Sequence, residues 1–250
     1  MYSKIKTIKS NAKEQLLSHM WTAVFFTFLF YLLTNLCSFC LMVFPGSESI
    51  LDMLIYEFTI LMVHLFSGLL QVGVASFYLK IATGKEHCSL FDLFHAFSNG
   101  PDRAIKVSFF IAMIRMLCTL PYIIYVLYFM PSYSMEQLLR MDTNVLKSLC
   151  IAYFILGMGE LLFFLIYLFF EPIYFMLADM PGLSAGKAIK MSIWLMKGSK
   201  VRLLWLNLSF LPLQFVSLFT FGIGNLWVTP YINTSKACFY ADLSAKRLNQ

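Results

Sequence analysis

The chain has 250 residues, of which 60% are hydrophobic and only 13% charged, and it carries a formal net charge of +6. Ordinary globular proteins hold roughly 45–50% apolar and about 25% charged residues, and a fold of this size keeps too much surface in water to hide such an excess. A soluble domain, a disordered chain and a disulfide scaffold are therefore excluded. So is a nucleic-acid module, because the positive charge sits in connecting segments rather than on one compact basic face. An all-α, polytopic membrane protein is expected.

A membrane-crossing helix needs about 20 mostly apolar residues. In chain order, residues 1–20 come first. Ile5, Ile8, Ala12, Leu16 and Met20 fall on one helical stripe flanked by Lys4, Lys6, Lys9 and Lys13. This pattern predicts a basic amphipathic helix on an anionic inner leaflet. The first span, about 21–44, has no charge, ends at Pro45-Gly46-Ser47-Glu48, and is read as a retained anchor rather than a cleaved leader. The second, about 53–79, carries Glu57, His64 and Gln71. Leu90 to Phe97 is a short amphipathic stretch expected at the interface. The third span, about 107–130, contains Arg115 and Pro121, and the fourth covers about 149–178. A turn at Asp179-Met180-Pro181-Gly182 then leads into a cytoplasmic helix with Ser184 as N-cap and Gly198 just past its end. Ala185, Ala188, Ile189, Ser192, Leu195 and Met196 share one of its faces. The fifth and sixth spans, about 203–220 and 225–241, are joined by Phe221-Gly222-Ile223-Gly224 as a hairpin. Residues 21–243 thus read as one transmembrane domain of about six helices, with 244–250 as a tail.

Charge sets the orientation. Fifteen Lys and Arg residues precede the first span, follow the second, precede the fifth or follow the sixth, whereas only Arg140 and Lys147 lie on the other side. The positive-inside rule then places both termini in the cytoplasm.

The C-terminal half carries specific motifs. Asp179-x-Pro181-x-Leu183-Ser184 leads to Ala188-Ile189-x-x-Ser192-x-x-Leu195-Met196-Lys197-Gly198-x-Lys200. Then follow Gly222-Ile223-Gly224-x-x-Trp227-x-x-Pro230-Tyr231 and Phe239-Tyr240-x-Asp242-Leu243. With Ala12-Lys13-x-Gln15-Leu16, Trp21 and the stretch from Gly68 to Leu79, the chain resembles the domain-of-unknown-function family nine-seven-five. The family pattern passes quickly between spans where this chain has a loop around Pro131 to Lys147. The resemblance implies a multi-pass protein of a bacterial cytoplasmic membrane with no assigned activity.

Ionisable residues inside spans mark functional candidates, because each costs about 2.5–3.5 kcal/mol to insert. At about 1.5 Å per residue, Arg115 lies about 14 Å from its cytoplasmic flank, Glu160 about 16 Å from the outer side, and His64 about 16 Å deep. All three fall near the middle of a core of about 30 Å. They are the candidate intramembrane cluster, either a pathway for protons or substrate or a packing pair of Arg115 and Glu160 with His64 nearby. Glu57, His64 and Gln71 repeat every seven residues on one face. Glu160, Tyr167, Glu171 and Tyr174 are placed on another, and Glu171 and Lys236 are near enough to the inner interface to reach it.

No metal or cofactor site is expected. Cys37-Ser38-Phe39-Cys40 lies in an apolar helix, where cysteines behave as small hydrophobes, and His87, Cys88 and His95 have no clear fourth ligand. No metalloprotease motif or nucleophile elbow is present. The expected function is a non-enzymatic membrane scaffold or partner subunit. The alternative is a small transporter or proton and ion pathway using Arg115, Glu160 and His64. The expected partners are the lipid bilayer and another membrane protein.

Overall fold

The computed structural model describes residues 3–42, 50–84, 88–129 and 143–247, the side chains of 37–42, 50–54, 56 and 57 excepted. The turn at Pro45, the Cys37–Cys40 spacing, the Glu57 side chain, His87 and the loop from Pro131 to Asp142 lie outside that description. Every regular element among the described residues is helical. In order they are α1 (Ile5–Leu17), α2 (Met20–Met42), α3 (Ile50–Ala82), a 3-10 turn (Leu90–Phe94), α4 (His95–Ser98), α5 (Pro101–Phe129) and α6 (Thr143–Tyr167). They continue with α7 (Ile173–Asp179), α8 (Ala185–Met196), α9 (Lys200–Leu208), α10 (Leu211–Leu218) and α11 (Asn225–Arg247).

Among the described residues, four segments are long and apolar enough to cross a membrane: Phe58–Ala82, Pro101–Phe129, Thr143–Tyr167 and Lys200–Leu218. A fifth arises if α1 and α2, bent by 94° at Ser18-His19, count as one. The expected sixth span belongs to α11, which is long enough but too polar, with Asn225, Thr229, Asn233, Thr234, Ser235 and Lys236 along it. That helix runs on to Arg247, so most of the expected tail is helical.

Contacts divide the chain into two compact units, Met1–Phe109 with Phe169–Gln250, and Phe110–Leu168. In the first, α11 and the C-terminal half of α3 form the core. Thr234, Ala237, Phe239, Tyr240 and Leu243 are buried on α11, and Leu70, Phe77, Tyr78 and Ile81 on α3. Phe26 of α2 stacks on Phe77 at 3.9 Å, and the Tyr78 hydroxyl meets Thr27 Oγ1 at 2.7 Å.

Three expectations are corrected here. The apolar stripe of α1 is not open to lipid: Ile8, Ala12 and Leu16 are buried, because α1 packs on α11 and α3. The fourth span, expected over 149–178, is not one helix. Pro172 lacks an N–H and its ring clashes with the carbonyl four residues back, at Leu168, so α6 stops at Tyr167 and the chain restarts as the buried α7. Glu171 and Tyr174 consequently do not continue the α6 face of Glu160 and Tyr167. The fifth span begins at Lys200 rather than 203 and is interrupted at Ser209-Phe210, where Pro212 enters the first turn of α10.

The hairpin turn before α11 explains its two glycines. Phe221 and Gly222 take φ values of 52° and 84°, a region that L residues with a Cβ avoid. A Cβ on Gly224 would approach Thr220 Oγ1 to 2.8 Å and Ser217 Cβ to 3.0 Å. Ser217 Oγ donates to Asn225 Oδ1 at 2.6 Å, closing the turn.

Candidate functional site

Within the second unit, Arg115 of α5 and Glu160 of α6 form an ion pair. Arg115 Nη2 lies 2.9 Å and Nε 3.3 Å from Glu160 Oε1. The guanidinium also sits 5.6 Å from the centre of the Phe163 ring. Gly159 permits this approach: a Cβ there would stand 2.5 Å from the Cys118 carbonyl oxygen. About three turns on, Tyr125 and Ser148 share a hydrogen bond of 3.1 Å. A charged pair with one carboxylate oxygen engaged can lock two helices or relay a proton; the geometry is compatible with either. His64 and Gln71 are half-buried on α3 and belong to the first unit.

A second charged pair lies in the first unit. Lys236 Nζ of α11 is 2.6 Å from Glu171 Oε1, with the carboxylate side chain only 10% exposed. Sequence reasoning named both residues but could not join them, since pairing across 65 positions leaves no periodic trace. Beside them, Ser192 Oγ of α8 donates to the Phe169 carbonyl at 2.7 Å.

The motif residues are largely ties between elements. Tyr240 donates its hydroxyl to Asp179 Oδ2 at 3.0 Å, fixing α11 to the end of α7. The turn at Pro181 is held by Arg103, which donates to the carbonyls of Met180 and Leu183 at 3.2 and 3.3 Å. Gly198 takes φ 82° just past α8, and Arg247 donates to the exposed carbonyls of Trp194 (2.6 Å) and Lys197 at that helix end. Tyr231 reaches the Lys9 carbonyl at 3.3 Å and packs edge-on against Phe210. Pro230 is buried within α11, and Thr234 donates to its carbonyl at 2.8 Å. Trp227 is exposed.

Asp242 is the hub of these ties. Arg202 Nη2 donates to its Oδ2 at 2.6 Å, Ser3 Oγ to its Oδ1 at 2.7 Å, and Lys246 pairs with it one turn along α11. Arg202 also donates to the Ser3 carbonyl at 2.6 Å. The chain's start, α9 and α11 are thereby latched together, beside a polar cavity of about 420 Å³ bordered by Ser3, Asn11, Glu14, Gln15 and Asp242. Arg202 was legible only as one positive charge among several.

Burial alone would raise the Asp242 pKa. Hydrogen bonds from Lys246, Ser3 and Arg202, and the Arg202 charge, outweigh it and hold the carboxyl at about 2. A depressed carboxyl pKa adds stability that is present above the ordinary value and lost as pH falls toward the folded one. Asp242→Asn is therefore expected to lower the melting temperature of the solubilised protein by the same amount anywhere between pH 5 and 8. The gap should close only as the wild type approaches about pH 2. A gap that shrinks between pH 8 and 5 would exclude the latch as described.

Among the described residues, no group of three or more His, Cys, Asp or Glu could hold a metal ion. No curated protein and no solved structure matches the chain. The profile of one family, described as Protein of unknown function (DUF975), matches residues 1–247, nearly the whole sequence and every motif quoted above. The chain belongs to that uncharacterised family.

Proposed function

We propose that this is a multi-pass protein of a bacterial cell membrane, with both termini cytoplasmic, acting as a non-enzymatic scaffold or partner subunit. The fifteen-to-two distribution of Lys and Arg supports the orientation. A reporter fused at Ser132 should read outside and one at Gly186 inside; a cytoplasmic signal at Ser132 breaks this orientation.

The observation that carries the partner reading lies on α6. Ile151, Phe154, Met158, Leu161 and Leu165 are all exposed and follow one another at helical spacing. Gly157 sits on the same face, between Phe154 and Leu161, and a Cβ there would meet nothing within 4 Å. Glycine inside a helix costs about 1 kcal/mol relative to alanine. None of the described residues uses that gap, whereas a second helix in the membrane would, since small residues let helix backbones approach. On α5, Met113, Leu117, Leu120, Ile124 and Leu127 make a comparable exposed stripe.

A photo-reactive residue at Phe154 is expected to crosslink to another protein chain in the native membrane. Gly157→Leu should leave the fold intact, because the space is open, yet reduce that adduct about tenfold. Lipid adducts alone, or an adduct indifferent to Gly157→Leu, would reject the partner reading. The second reading, a proton or ion pathway, is favoured by one observation: the Arg115 and Glu160 side chains remain 42% and 39% exposed along their helices.

A further inference from the structure

We propose that the outer face of α8 docks on anionic lipid headgroups at the membrane surface. The helix is two-faced. Ala185, Ala188, Ser192, Leu195 and Met196 are buried against the protein. Lys187, Lys190, Trp194 and Lys197 follow one another at steps of three and four residues along the opposite side, all exposed, with Ile193 exposed beside them.

Three observations choose the occupant. First, the charge is uncompensated. No Asp or Glu occurs between Asp179 and Asp242, and no ion pair among the described residues engages Lys187, Lys190 or Lys197. The other nearby cations are already committed: Lys200 lies 3.4 Å from the centre of the Phe169 ring, and Arg202 is bound to Asp242. Second, α8 ends at Met196 and the membrane-crossing candidate Lys200–Leu218 starts four residues later. Lys197 therefore stands three residues from the start of a segment able to cross the membrane, and Lys187 and Lys190 share its exposed side of α8. Third, tryptophan marks the same level: Trp194 is 48% and Trp205 58% exposed, and exposed tryptophans collect at that boundary. In α1 the exposed Leu17 lies at the last residue, past Lys4, Lys6 and Lys13, whereas in α8 the exposed Ile193 and Trp194 lie between Lys190 and Lys197.

Each lysine near an anionic surface contributes about fivefold in affinity, so three give roughly a hundredfold. The full-length protein, solubilised in neutral detergent, would be mixed with phosphatidylglycerol or phosphatidylcholine and the retained lipid counted by native mass spectrometry. The wild type is expected to retain phosphatidylglycerol preferentially, less so as salt is raised. Replacing Lys187, Lys190 and Lys197 together by Gln should abolish the preference, and replacing them by Arg should keep it. Lys4, Lys6 and Lys13 changed together to Gln should leave it in place. The proposal is overturned if the Gln variant, melting as the wild type does, still prefers phosphatidylglycerol, or if the wild type shows no preference. Should the Gln variant unfold, the Arg variant decides, because loss of the preference in a folded Arg variant would equally overturn it.

Discussion

Gly73→Ala is expected to cost at least about 3 kcal/mol of stability, at the upper end of what overpacking does. On α3 this glycine faces the 3-10 turn Leu90–Phe94, and an added Cβ would sit 2.1 Å from the Leu93 carbonyl oxygen, 2.5 Å from its carbon and 2.7 Å from the Asp92 oxygen. Those are backbone atoms. They cannot swing aside as a flexible side chain would, and the turn itself is pinned at its start and middle. Ser89 and Asp92 cap it reciprocally, and Lys80 of α3 holds the Asp92 carboxylate at 2.7 Å. Leu93 below is fully buried. The methyl group must therefore part the turn from α3 or bend α3 itself.

Gly186→Ala provides the contrast, since a Cβ there meets nothing within 4 Å and the residue lies inside α8. That change should be neutral or stabilise by up to about 1 kcal/mol, from the lower entropy of the unfolded chain. Melting both variants in the same detergent checks the pair. Equal melting temperatures would mean that the turn does not rest on α3 as closely as the geometry states.

What the sequence makes legible is what is local. The α1 stripe, the Gly198 helix end and the turn at Pro181 all follow from residues within a few positions of one another, by helical periodicity and by the φ preferences of glycine and proline. The occupant of a stripe is not local. Ile8, Ala12 and Leu16 look the same whether they face lipid or α11, and only the tertiary contacts assign them to α11. The break at Pro172 was local yet masked. The apolar run from Leu161 to Leu177 is interrupted only by Glu171 and Pro172, so the hydropathy signal flows across the residue that ends the helix. The Asp242 latch joins positions 3, 202 and 242, and Lys236 joins Glu171, across distances that leave no pattern in spacing. Depth along a helix is local as well, following from rise per residue and flanking charge, so Arg115 and Glu160 can be given a common layer from sequence. The direction in which each side chain points around its helix depends on packing at Gly159.

Arg115→Leu and Glu160→Leu are each expected to be more damaging than the two together. Either single change strands a charge within the apolar length of α5 or α6, where a lone ion costs about 2.5–3.5 kcal/mol to insert, and breaking such a pair by removing one partner costs about 3–5 kcal/mol. The double variant removes both charges and leaves two leucines beside the Phe163 ring, within two apolar helices. The coupling measured by the cycle should therefore reach about 2–3 kcal/mol, the upper range for contacting residues. The Phe163 ring offers a stranded Arg115 some compensation through its face, while a stranded Glu160 has none from that source, so Arg115→Leu should be the worse single. Folded yield and melting temperature give the energies, and proton leak through vesicles reconstituted with each variant separates the two functions. A scaffold whose helices are locked by the pair keeps its partner adduct, and its vesicles stay tight, in the double variant. A pathway changes its leak in the double variant even though the fold is restored. Additive losses in the cycle would show that the 2.9 Å contact between Arg115 and Glu160 contributes no energy to the fold.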